Sequence, residues 1–133
     1  MDYVKIDGKA WDVLVTKISE SFSILFSENT GRTMSQGASM TLDPLGTFYN
    51  HKVTFARKRG CEEDYDALYD FLAKPRYDGI DVEIVHNQST LSYKAYVSQG
   101  ERTLKRIDKN TGKVYWDSFS ANIVPISAQV LPE

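Results

Sequence analysis

The residues able to do chemistry are few and scattered. The chain holds two histidines, His51 and His86, and one cysteine, Cys61. A metal site or a nucleophilic triad needs such groups drawn together with an Asp or Glu. His51 alternates with Tyr49 and Val53 on one face of a strand-like run, and His86 ends another run beside a turn. Nothing in their spacing supplies either with an acidic partner. Cys61 lies between Arg57-Lys58-Arg59 and the acidic run Glu62-Glu63-Asp64. Cations and a helix start favour a thiolate, whereas the carboxylates oppose it. A small buried anchor at the helix start is the expected role. One cysteine makes neither an internal disulfide nor a multi-thiolate metal site. There is no phosphate-binding glycine loop, dinucleotide fingerprint, Gly-x-Ser-x-Gly elbow or His-Glu-x-x-His. The expectation is no catalytic residue, no metal and no cofactor.

Two charge clusters invite other uses. Glu63, Asp66 and Asp70 share one polar face at helical spacing, which reads as a solvated face. Lys105, Lys109 and Lys113 flank a hairpin tip, with Arg102 and Arg106 nearby, in the form of a nucleic-acid finger. Glu101 and Asp108 dilute that cluster, and no stacking aromatics interleave with it. Contacts with acidic protein neighbours are the expected use, since complementary charge sets interface register. Asn87-Gln88-Ser89 has the form of a glycosylation sequon, but Met1-Asp2-Tyr3-Val4-Lys5 is not a secretory start.

The elements that must position these groups are mostly strands. The 133 residues suit one domain, with 41% apolar and 26% charged residues and a net charge of -2. That composition excludes a disordered chain and gives no global pull toward nucleic acid or an anionic membrane. No apolar run approaches the ~20 residues of a membrane helix. Asp7-Gly8 between strand-like runs predicts a type I′ turn, with a second strand continuing through Trp11, Val13 and Val15. Ile18, Phe22, Ile24 and Phe26 alternate with serines, and Glu20 interrupts the apolar side. A strand is expected over 48–58, a helix over 62–74 and a strand over 80–84. A returning strand carries Leu91, Tyr93, Ala95 and Val97 on its inner face. A hairpin is expected over 102–119 and a last strand over 121–126, which Pro125 marks as lying at an edge or finishing there. The helix places Tyr65, Leu68, Tyr69 and Leu72 on one stripe and stops at Pro75. The sum is a mainly β, antiparallel sandwich or barrel of about eight or nine strands with one amphipathic helix.

Residues 27–47 break the pattern. They show no sustained period over about twenty residues, where connections typically run about 4–6. Yet they carry Met34, Met40, Leu42 and Leu45, and disordered linkers are poorer in large apolar groups. The segment reads as an arm that gains order against a partner, set on a single domain over 1–133.

The order of strands, long loop, strand, amphipathic helix and hairpins resembles the tail-tube fold of bacteriophages. The wording carries the likeness too: Ser27-Glu28-Asn29-Thr30-Gly31-Arg32-Thr33, Leu42-Asp43-Pro44-Leu45-Gly46-Thr47-Phe48, Val53-Thr54-Phe55 and Tyr115-Trp116-Asp117-Ser118-Phe119. These look like small tail proteins of phages and prophages of Gram-positive bacteria. The resemblance implies a non-enzymatic virion protein, a tube, distal-tail or baseplate component made in the host cytoplasm. It implies rings of copies stacked about a channel for DNA, other tail proteins (tube, hub, tape measure) as partners, and a long loop that reaches a neighbour. The assembly residues expected are Arg32, Met34, Met40, Leu42, Leu45, Lys105, Lys109 and Lys113. The alternative is a β-barrel nucleic-acid module using the basic hairpin 102–113.

Overall fold

The computed structural model describes residues 4–28, 30–32 and 40–132. In chain order these form β1 (Val4–Ile6), β2 (Leu14–Phe26), β3 (Gly31–Arg32), β4 (Met40–Thr41), β5 (Pro44–Ala56), α1 (Glu62–Ala73), β6 (Ile80–His86), β7 (Ser89–Glu101), β8 (Leu104–Ile107), β9 (Val114–Trp116) and β10 (Phe119–Pro125). The fold is mainly β with one helix among the described residues, as expected. Every ladder is antiparallel. Six strands make one sheet in the order β1-β6-β7-β10-β5-β2, and β3-β4 and β8-β9 are two-stranded ribbons. The sheet is open, with β1 and β2 as its edges and no ladder joining them. The barrel alternative therefore does not form. No helix among the described residues is long and apolar enough to cross a membrane.

One face of the sheet is the core. Alternation puts Val53 and Phe55 of β5, Ile80, Val82 and Ile84 of β6, and Phe119, Ala121 and Ile123 of β10 on it, all buried. Across it lies α1, with Tyr65, Leu68 and Leu72 buried at the spacing the sequence predicts. Phe119 is the hub, with ring centroids of Phe55, Tyr65 and Tyr69 at 5.1, 5.1 and 5.3 Å. The Tyr65 hydroxyl donates to the Asp117 carbonyl, which satisfies its polar end inside the core.

The type I′ turn forms, with positive φ of 58° at Asp7 and 71° at Gly8. The strand expected after it does not pair back on β1. Only an isolated bridge joins Ile6 and Lys9. Residues 9–13 then cross to the far edge, where β2 begins. Trp11, Val13 and Val15 do share a face, but they pack on the core instead of extending a hairpin. The Trp11 indole donates to the Ile6 carbonyl at 3.1 Å, and its ring lies 5.5 Å from Phe71. Period-two spacing satisfies a strand and a core-crossing segment equally, so local pattern does not separate them.

The described part of 27–47 is also more regular than its composition suggests. β5 starts at Pro44, ahead of the expected Phe48, and pairs with β2 all the way to Phe26. β3 and β4 continue the same hairpin, Arg32 opposite Met40. Hydroxyls staple the junction: Ser27 Oγ donates to Asp43 Oδ2, and the Asp43 amide donates to Thr30 Oγ1 at 2.8 Å. Pro44 is tolerated because it opens the strand. Gly46 is required by a crossing, since a Cβ there would stand 2.5 Å from the Ala128 Cβ, at a φ of 154°. Residues 128–130 run beside β5 at that point, and the Thr47 amide donates to the Val130 carbonyl at 2.8 Å.

Candidate functional site

The register of four strands assembles a polar cluster that local sequence did not foreshadow. β2 and β5 pair Glu20 with His51. His51 is buried, 2% exposed, on the core face of β5. Its Nε2 lies 2.9 Å from Glu20 Oε2, and its Nδ1 lies 2.7 Å from the Tyr93 hydroxyl of β7. His86, at the end of β6, places Nδ1 2.8 Å from the same Glu20 oxygen. The Tyr49 ring packs against His86 at 4.7 Å. The expectation that the histidines lack an acidic partner is thus corrected: one carboxylate holds both. β7, β10 and β5 separate β6 from β2 in the sheet order. Contact between them means that the sheet curls until side chains bridge what no ladder closes.

Hydrogen-bond logic fixes the roles. Glu20 accepts, so Nε2 of neutral His51 carries the proton, and Nδ1 accepts from the Tyr93 hydroxyl. Burial pushes the His51 pKa below the usual histidine value, against the pull of Glu20. Burial, with the Glu20 charge adding, raises Tyr93 well above an ordinary tyrosine. Burial also works against the charge on Glu20, but hydrogen bonds from His86 and His51 prevail and hold its carboxyl below the usual range. Both His51 nitrogens are occupied inside the fold, which suits a structural tie better than proton exchange with a substrate. Among the described residues, no three His, Cys, Asp or Glu side chains are arranged to hold a metal.

A second region begins where this cluster ends. Beyond Glu20 the β2–β5 hairpin overhangs the core. Phe22 is 68% exposed and Leu42 61%, and Ile24, Leu25, Phe26, Met40 and Leu45 are also exposed, as are Val130 and Leu131 beside them. Three expected assembly residues, Met40, Leu42 and Leu45, are therefore among the exposed apolar ones. Arg32 joins them through the β3 backbone, and Met34 lies outside the described residues. The sheet face opposite the core is polar near the root of this hairpin, with Lys17, Ser19, Lys52, Thr54 and Ser120 lining an open cavity of about 410 Å³.

The basic hairpin behaves differently from its sequence. Arg102 is bonded to Asp66 of α1 at 3.2 Å and lies 4.0 Å from both the Tyr69 and Trp116 ring centroids. Arg57, Arg106 and Lys113 gather round Tyr115, and Lys113 also pairs with Glu62 at 3.7 Å. Aromatics do accompany the cations, contrary to expectation, because β9 supplies them from across the ribbon. Their faces are spent within the chain. Lys105 and Lys109 remain exposed. Cys61 is half-buried instead of buried. Its thiol donates to Asp12 Oδ2 at 3.3 Å, and that bond raises its pKa, with burial adding. Lys58, the cation that could have activated it, is paired with Asp12 at 3.1 Å.

The chain matches no protein-family model and no curated protein sequence.

Proposed function

We propose that this chain is a non-enzymatic structural protein of a bacteriophage tail, a tube, distal-tail or baseplate component that assembles into rings. One observation carries the reading: the β2–β5 hairpin runs out past the core, and its described outer residues include the exposed apolar side chains Phe22, Ile24, Leu25, Phe26, Leu42 and Leu45. Large exposed apolar patches mark association surfaces, and a two-stranded hairpin alone is marginal in water. Burying Phe22 and Leu42 against a neighbour would contribute about 1.5–3 kcal/mol each. The outer edge of β2, an end strand of the sheet that pairs with no further strand among the described residues, offers backbone groups for pairing with a second copy or another tail protein. The polar face bearing Lys17, Ser19 and Lys52 would then look into the channel through which DNA passes. In this reading the protein works in the virion after synthesis in the host cytoplasm.

The nucleic-acid alternative has less support, because Arg102, Arg106 and Lys113 are spent on the chain's own rings and carboxylates. The test is light scattering and electron microscopy of the purified chain and of a Phe22→Asp/Leu42→Asp variant. The expected result is rings or higher oligomers from the parent and a folded monomer from the variant. A variant that assembles as the parent does would overturn the proposal. So would DNA binding in the micromolar range that weakens steeply with salt.

A further inference from the structure

We propose that Glu20, His51 and His86 form a clasp that acid opens, releasing the β6–β7 hairpin tip from the root of the overhanging β2–β5 hairpin. The geometry carries this. The tip meets β2 and β5 through the Glu20–His86 bond at 2.8 Å and the Tyr49–His86 ring contact at 4.7 Å. No ladder joins β6 to β2. Glu20 in turn depends on the bond at 2.9 Å from His51, whose side chain is fully buried. The groups facing His51 are Glu20 from β2, Tyr93 from β7 and His86 from β6. Lys52 and Glu83, next to the cluster in sequence, alternate onto the opposite face.

At His51 an added proton has one place to go. His51 Nε2 already carries the hydrogen donated to Glu20, so an added proton enters at Nδ1. Nδ1–H then faces the Tyr93 oxygen, and the Tyr93 hydroxyl hydrogen loses its acceptor. A buried imidazolium also stands next to His86 on a single carboxylate. The cost is desolvation of that charge, one carboxylate shared between two imidazoles and a Tyr93 hydroxyl hydrogen left without an acceptor; opening to water relieves all three, and the tip meets β2 and β5 through side chains. The tip owes its shape to a tight turn, with Asn87 at a φ of 54°, so it can swing as a unit.

The experiment is amide hydrogen exchange at residues 85–90, corrected for intrinsic rate, at about pH 7.5 and about pH 5.0. The parent chain is expected to lose about tenfold or more of its protection at the lower pH. His51→Gln keeps an amide N–H for Glu20 and cannot titrate, so it is expected to hold equal protection at both. Only two histidines are present, so His86→Gln assigns both imidazole signals in an NMR titration. That titration decides the matter even where His51→Gln folds poorly. Tip release should share its midpoint with His51, below the ordinary 6.5. Unchanged protection at low pH, release that persists in His51→Gln, or release with a midpoint apart from that of His51 would each overturn the clasp.

Discussion

The two ends of one ladder make the instructive comparison. β2 and β5 pair continuously from Leu14 opposite Ala56 to Phe26 opposite Pro44. At the inner end, Val53 and Phe55 are fully buried in the core beside Ala121 and Phe119 of β10, while at the outer end Phe22 and Ile24 continue the same face into solvent. Alternation is equally clean at both ends. It reports which residues share a face, and is silent on whether anything covers that face. Glu20 marks the change of regime, and the polar cluster it anchors is the last cover the monomer provides.

The comparison is broken most severely at Phe55. Phe55→Ala should cost about 3–5 kcal/mol, the range for a buried aromatic. Phe22→Ala should stay within about 0.5 kcal/mol, as for an exposed site. Urea unfolding of both variants measures this. Equal losses would mean that the outer end is covered in the single chain. Next is Gly46, where the outer hairpin meets residues 128–130. Gly46→Ala sets a methyl against Ala128 and should cost about 1–3 kcal/mol, with lost exchange protection at the Thr47 amide as its local signature.

A smaller effect comes from the cluster between the two ends. His51 titrates lower folded than unfolded, so the unfolded chain takes up the proton first. Stability is then full above about 6.5 and falls as pH drops toward the folded pKa. Glu20, held low by its two histidines, adds a further loss in the same direction at lower pH, once its own folded pKa is reached. A melting series in the parent and in His51→Gln should differ in the upper part of that fall, and identical curves would remove His51 as its cause. The smallest effect is expected at Lys113. Its pairing with Glu62 is half exposed, so Lys113→Ala should move thermal stability by no more than about 0.5–1 kcal/mol. A larger loss would show that its seat over Tyr115 matters more than its charge.

Local signals were legible where one stretch carries the whole instruction. The stripe Tyr65, Leu68, Leu72 and the turn at Asp7-Gly8 read directly, because spacing and backbone preference are properties of a few adjacent residues. The mainly β character followed from repeated alternation. The cluster was not legible, since Glu20 lies 31 residues from His51 and 66 from His86, and strand order alone brings them together. A trace existed: a glutamate on the apolar side of one strand and a histidine on the apolar side of another are complementary irregularities. The Pro44–Thr47 start of β5 was hidden by residues that ordinarily break strands, and only the passage of residues 128–130 explains the glycine.

The strand order also governs the timing of folding. Among the described residues, β10 is the one strand joining β1-β6-β7 to β5-β2, and it follows all of them in sequence. Until residues 119–125 have emerged from the ribosome, the strands on its two sides have nothing to pair through, and the hub ring of Phe119 is missing from under the helix. β1 also waits, since its partner strand ends some eighty residues later, Val4 opposite Ile84. Closing such distant pairs is the slow step of β-rich folding. Refolding should therefore show late, concerted consolidation of the whole sheet, and a chain stopped before Phe119 should gain no protected core at all.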